Sequence, residues 1–390
     1  MKRFLAIILI LIMMTSSAVC AAEVQSPSLL GENWTVSDYS TLIGDIDGDG
    51  EFNVMDVVYL QLYLAGLSRL SDSGQRRADV ELNGAVESID VTYLQRFLVG
   101  YVGDHYIGFD VDEAQAIVEA RQRRQRIIDE IENFTRSKGV DISVFNGNVD
   151  MNRLKAEGYS FVIIRLGYGD DETDQDDSMF ETNVKKAEAA GLDWGAYIYS
   201  YALSAGEAKS EVNHTLRLLK GKHPTMPIAF DWEDDSYKQR MGMPSNAEVL
   251  KIASTYMDGI RSAGYYPIIY TGYYWLKGAF NDKTFLDKND IWLAQWAKTY
   301  DYKDRPIGMW QYGGETNYLE SPYISGLSGM FDKDYSYKNY PMIIKAYGYN
   351  NFEPLLQSYA STGAEPDDGI VPESENLPPE CNGVMGDSFK

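Results

Sequence analysis

Pro227-Ile228-Ala229-Phe230-Asp231-Trp232-Glu233 reads as a short buried strand that ends in acids. A brief apolar run after a proline, with no polar residue until its end, is the pattern of a strand covered on both faces. In a strand, residues i and i+2 point to the same side, about 6.6 Å apart along the chain. Asp231 and Glu233 therefore share a face, and Trp232 takes the other.

The same texture extends in both directions. Phe161 to Leu166, Trp194 to Tyr201, Tyr266 to Tyr270 and Ile291 to Trp296 read as strands. Val184 to Ala190, Ala205 to Leu219 and Ala247 to Ala263 read as helices between them. Strand and helix alternating over about 200 residues predict an α/β fold with a parallel sheet or barrel. No helix is evident between Trp296 and Trp310, which predicts a barrel left incomplete there. In a parallel barrel the active site lies at the C-terminal ends of the strands, where Asp231 and Glu233 fall. Two adjacent carboxylates disfavour double ionisation, so one becomes a general acid while the other stays charged. Glycoside hydrolysis uses such a pair. By spacing alone an exposed acidic turn explains the residues too, since Asp234 and Asp235 continue the run.

The chain has 390 residues, and at roughly 150 per domain this predicts two or three domains. Asp and Glu number 58 against 35 Lys and Arg, a formal net charge of −23. That excludes non-specific nucleic-acid binding and docking on an anionic membrane surface, both of which need a basic face. Two cysteines exclude a disulfide scaffold. Twenty-nine tyrosines suit stacking against sugar rings, though a Tyr-rich core explains them equally. Met1-Lys2-Arg3, the apolar run Phe4 to Met14 and Ala18-Val19-Cys20-Ala21-Ala22 form a signal-peptide pattern, residues 1–22. The alternative is a lipid anchor at Cys20, but Ser17-Ala18-Val19 lacks the usual leucine pattern. Residues 23–40 read as a linker, 104–138 as a helical connector, 139–345 as a catalytic domain and 346–390 as an acidic tail. The last 30 residues hold four prolines and seven acids, the composition of a disordered segment.

Between linker and connector lie two calcium-loop patterns. Asp45, Asp47, Asp49, Asn53 and Asp56 put oxygens at loop positions 1, 3, 5, 9 and 12, with Gly50 at the sharp turn of position 6. Asp79, Glu81, Asn83, Gly84, Glu87 and Asp90 repeat the pattern 34 residues later. The position-7 ligands would be the backbone carbonyls of Glu51 and Ala85. An apolar helix follows each loop. Position 12 is Asp rather than the bidentate Glu of an EF-hand, and Ser40 to Ile43 is no helix before the first loop. This duplicated loop-plus-helix, residues 41–103, resembles a dockerin, a small all-α module. The resemblance implies two structural Ca²⁺ ions and a cohesin domain of a scaffoldin as partner. It places partner contacts at Val54-Met55 and Ser88-Ile89. The two pairs differ, so the halves are not equivalent docking faces. Glu81 replaces the usual Asn or Asp at position 3, which predicts an altered second site.

The larger domain has its own ordered set of motifs: Gly139-Val140-Asp141-Ile142-Ser143, Arg165 to Gly169, Gly195 to Ala202, Phe230 to Glu233, Tyr270-Thr271-Gly272, Ile291 to Trp296, Trp310-Gln311-Tyr312 and Phe331-Asp332. In this order they resemble the glycoside hydrolase family 25 lysozymes, the Chalaropsis-type muramidases, over about residues 139–342. The resemblance implies an irregular TIM-like barrel of five β/α units plus extra strands. It implies cleavage of the β-1,4 bond between N-acetylmuramic acid and N-acetylglucosamine in peptidoglycan, with no catalytic cofactor. Glu233 would protonate the leaving oxygen and then activate water. Asp231 would stabilise charge at the anomeric carbon, as a nucleophile or by steering the substrate's 2-acetamido oxygen; the sequence leaves both open. Asp141 and Asp332 would orient the pair and tune its proton affinities. Tyr168, Tyr199, Trp296 and Gln311 are candidate sugar contacts, and core packing explains the first two almost as well. The whole then reads as a secreted enzyme in a cell-surface, cellulosome-like complex, without membrane insertion. The alternatives are a catalytically weak wall-binding module, a scaffold component and a chitinase-like barrel, whose acidic string DxxDxDxE is absent here.

Overall fold

A computed structural model describes residues 40–101, 105–233 and 236–356. The expected signal peptide, residues 23–39 of the expected linker and the tail beyond Leu356 lie outside the described residues. The chain divides into two compact units, one ending at Gln125 and the other starting at Arg126. The division falls inside the helix Val111–Glu132, within the expected connector.

The first unit is built on the helices Val54–Leu64 and Ser88–Leu98, each following one acidic loop as expected. A third helix, Asp72–Ala78, stands between the repeats and was not anticipated. Ile43, Ile46, Val57, Leu60, Val80 and Leu94 form its core. Arg77 is buried within it, donating from Nε to the Asp45 carbonyl at 2.7 Å and from a terminal nitrogen to the Ser40 carbonyl at 3.0 Å.

The second unit is a barrel of eight strands: β1 Ser137–Ile142, β2 Phe161–Tyr168, β3 Asp193–Tyr199, β4 Ile228–Trp232, β5 Pro267–Gly272, β6 Asp290–Ala294, β7 Met309–Gly313 and β8 Asp332–Ser336. Successive strands from β1 to β7 pair in parallel. β8 pairs antiparallel with both β7 and β1. The barrel is therefore closed, against the expectation of a gap. The expectation failed because it required a helix after β6. Residues 295–308 connect β6 to β7 without one, burying Tyr302 and Ile307 instead.

Alternation along the strands makes two cores. Outward residues such as Ile164, Ile198, Phe230, Trp232 and Leu293 pack beneath the helices. The helix Ala205–Leu219 buries Ala208, Val212 and Leu219, and the helix Asn246–Ser262 buries Val249, Ile252, Ala253, Tyr256 and Ile260, each at helical spacing. Ser204 and Ser245 cap these two helices through their hydroxyls. Trp232 is fully buried and meets Trp275 edge-on at 5.8 Å. Burying one such ring contributes on the order of 2–3 kcal/mol. Inward residues, among them Phe161, Ile163, Ala229, Ile268, Trp292 and Met309, fill the barrel. Among the described residues no helix is long and apolar enough to cross a membrane.

Candidate active site and metal-binding loops

The inward positions turn polar at one end of the barrel. Asp231 on β4 pairs in register with Tyr199 on β3 and Tyr270 on β5. Asp141 on β1 pairs with Asp332, the first residue of β8. Because β8 is antiparallel, its start lies beside the C-terminal ends of its neighbours. That direction brings Asp332 to the same rim as Asp141, Asp231 and Glu233. The four acids singled out from sequence thus share one end of one barrel.

Tyr270 joins them. It is buried, and burial first, then the charges of Glu233, Asp231, Asp141 and Asp332, push its hydroxyl well above the ordinary phenol range. A neutral phenol donates, and Tyr270 Oη donates to Gln311 Oε1 at 3.0 Å, with Glu233 Oε1 at 3.5 Å. Gln311 is itself buried on β7. Its Nε2 donates to Asp141 Oδ2 at 2.8 Å, and its Oε1 accepts from Trp296 Nε1 at 2.9 Å. Gln311 therefore ties the first strand, the connection between β6 and β7 and the Tyr270 hydroxyl together. Trp296 keeps 39% of its surface exposed, so its indole N–H is held while a ring face meets solvent.

The floor is a second carboxyl pair. Asp334 lies two residues along β8 from Asp332 and is completely buried, with Oδ1 accepting from Trp292 Nε1 at 2.8 Å. Burial first and then neighbouring carboxylates hold Asp141 and Asp334 well above the ordinary carboxyl range. Asp332 is pushed up to about 6 by burial, then by Glu233 and Glu315. A buried set of acids that feel one another ionises stepwise, leaving protons available at neutral pH. Such a rim can supply a proton to one face of a substrate and negative charge to another.

Tyr168 and Tyr199 are half-buried and belong to a tyrosine cluster with Tyr201 and Tyr237. Tyr270, Asp334 and Gly314 escaped the sequence reading. A Cβ on Gly314 would meet Asp332 Oδ1 at 2.0 Å and the Trp296 ring at 2.6 Å, so only glycine lets those two side chains close together. Tyr270 carried one usable signal in the sequence, its place in the motif Tyr270-Thr271-Gly272.

In the first unit both acidic loops fold alike. Asp45 Oδ2 accepts from Gly50 N at 2.9 Å, and Asp79 Oδ2 accepts from Gly84 N at 2.8 Å. Asp56 accepts from the amides of Ile46 and Asn53 at 2.7 and 2.8 Å, and Asp90 from those of Val80 and Glu87 at 2.8 and 2.7 Å. Gly50 and Gly84 have φ of +89° and +91°, which the tight turn needs. Carboxylate oxygens of Asp45, Asp47 and Asp49 lie within 4.8 Å of one another, a spacing that fits one hard cation. In the second loop Asn83 Nδ2 donates to Glu81 Oε1 at 2.8 Å. Burial, then the charges of Asp90 and Asp79, push Glu81 up to about 7. In the first loop the position-3 residue Asp47 instead accepts from Asp49 N at 3.3 Å. Val54 and Met55 are 65% and 43% exposed, and Ser88 and Ile89 are exposed at the matching place.

Residues 140–320 match the family model for glycosyl hydrolases family 25, and residues 43–99 match the dockerin type I domain. The autolytic lysozyme of Clostridium acetobutylicum is 27% identical over 197 residues, 50% of this chain and 55% of that protein. The chain thus spans about half the length of the curated relative it matches. Among solved structures, the modular autolysin LytC from Streptococcus pneumoniae in complex with a synthetic peptidoglycan ligand is similar over 52% of this chain and 47% of its own, with 24% identity and a TM-score of 0.46. A family 25 glycosyl hydrolase from Bacillus anthracis is similar over 52% of this chain and 88% of its own, with 21% identity and a TM-score of 0.43.

Proposed function

We propose that this chain, which carries a glycosyl hydrolase family 25 domain and a dockerin type I domain, is a secreted N-acetylmuramidase held on a cohesin-bearing scaffold. Its substrate is the β-1,4 bond between N-acetylmuramic acid and N-acetylglucosamine. The observation that carries this reading is the acidic rim: Asp231 and Glu233 at the end of β4, with Asp141 and Asp332 paired beside them.

Glu233 is the general acid and then the base. It is half-buried at the rim, within reach of the Tyr270 hydroxyl. Asp231 is buried and faces the anomeric carbon. Asp141 and Asp332 set the electrostatics of the pair. Trp296 offers a sugar platform, while Tyr168, Tyr199 and Gln311 complete the cleft. The dockerin half takes two Ca²⁺ ions, through Asp45, Asp47, Asp49, the Glu51 carbonyl and Asp56, and through Asp79, Glu81, Asn83, the Ala85 carbonyl and Asp90. Val54, Met55, Ser88 and Ile89 meet the cohesin.

The test digests purified peptidoglycan with the protein and with Glu233→Gln and analyses the muropeptides. New reducing ends on N-acetylmuramic acid with the parent, and a loss of at least about 100-fold in the variant, are expected. Reducing ends on N-acetylglucosamine would replace the bond assigned here, and no release from a folded parent would favour a wall-binding role.

A further inference from the structure

Lys238 is a fully buried cation that the reaction above does not use. It belongs to the short helix Ser236–Met241, a few residues beyond Glu233. Its Nζ donates to the Glu233 backbone carbonyl at 3.1 Å. The rings of Trp232, Tyr199 and Tyr201 surround it at 4.7, 5.4 and 5.8 Å. Stripping an ammonium of water is costly unless hydrogen bonds, aromatic faces or a counter-charge replace the hydration shell. Glu211 lies close enough to feel its charge. It is buried, with its carboxylate accepting from Ser200 Oγ and Tyr201 N, both at 2.8 Å. Burial pushes Glu211 up to about 8, and the Lys238 ammonium acts in the opposite direction.

What surrounds the ammonium is not arbitrary core. Tyr199 is the register partner of Asp231, Trp232 separates Asp231 from Glu233, and Glu233 itself accepts the hydrogen bond. The ladder between β4 and β5 runs out at Trp232. One residue further on, the Glu233 carbonyl is held by Lys238 instead.

We propose that Lys238 is a positioning residue that fixes the Glu233 backbone and so aims its carboxyl at the glycosidic oxygen. This rests on Glu233 being the general acid. A catalytic group displaced by about 1 Å loses on the order of 100-fold in rate, so a clamp at this carbonyl acts on turnover rather than on binding.

The experiment compares full-length parent, Lys238→Met and Glu233→Gln on peptidoglycan and on an aryl glycoside of the same disaccharide. The aryl group leaves without needing a proton, and its release is read in the first turnover, before the step in which Glu233 activates water. Lys238→Met is expected to lose roughly 30-fold in kcat on peptidoglycan, with KM within about twofold and less than about threefold lost on the aryl substrate. Glu233→Gln should show the same split, more strongly. Parent-like activity of Lys238→Met on peptidoglycan, or equal losses on both substrates, overturns the proposal. If Glu233→Gln itself loses equally on both, the acid assignment fails, and the positioning role falls with it. Should Lys238→Met not fold, Lys238→Leu, which also removes the donor, is read in the same way. Failure of both to fold assigns the lysine to packing and overturns the proposal.

Discussion

Asp332 holds its proton up to about 6 because burial, and then Glu233 and Glu315, oppose its ionisation. The sign for stability follows from the unfolded value of 3.8. Below about pH 3.5 both states are protonated and the residue is neutral in the balance. As pH rises through about 6 the folded chain must ionise a group it holds more tightly than the unfolded chain does, and stability is lost. The destabilisation is shared with the neighbouring acids that feel the same charge. Asp332→Asn is therefore expected to raise the Tm of the barrel at pH 7.5, leave it unchanged near pH 3.5, and lower activity. Calorimetry at the two pH values checks this, and an unchanged Tm at pH 7.5 contradicts it. Such a strained carboxyl persists where function requires it. Tyr270 is the counterpart: it reads locally as one more aromatic in an apolar strand, and its place among four acids depends on strands far away in the chain.

Strand direction is what gathers the acids. Had β8 run parallel, Asp332 would lie at the opposite end of the barrel from Asp231. In the first unit the repeated element is the loop with its following helix. Asp90 ties both, because its carboxylate accepts from Val80 N at the loop's start and from Glu87 N at the helix entry. Asp90→Ala removes both acceptors and should cost the first unit about 1–2 kcal/mol. A thermal melt of the full-length protein in saturating calcium, followed by calorimetry, reads the cost on the first-unit transition. If that transition does not move, the two acceptors contribute nothing to stability.

Two units with separate cores should respond separately to a change that touches one of them. Chelation of calcium is expected to unfold residues 41–103 and leave the barrel's melting and hydrolysis intact. Differential scanning calorimetry with and without chelator should show one transition moving and one staying. A barrel transition that shifts with calcium, or activity lost in parallel with it, would establish coupling between the units.

Much of this protein is written locally in its chain. Alternating apolar strands and amphipathic helices announce the barrel, because each periodicity follows from backbone geometry over a few residues. The spacing of Asp45 to Asp56 and its repeat announce the two acidic loops for the same reason. The DxE of β4 exposes its own geometry, since i and i+2 face alike. Barrel closure did not show in this way. β8 pairs with a strand nearly two hundred residues earlier, and no local pattern records that partner or its antiparallel sense. Asp334, Gly314, Tyr270 and Lys238 escaped for a related reason. The value of a buried polar side chain, or of a missing Cβ, depends on which atoms remote strands bring within a few ångströms. That proximity comes into being only when the sheet closes.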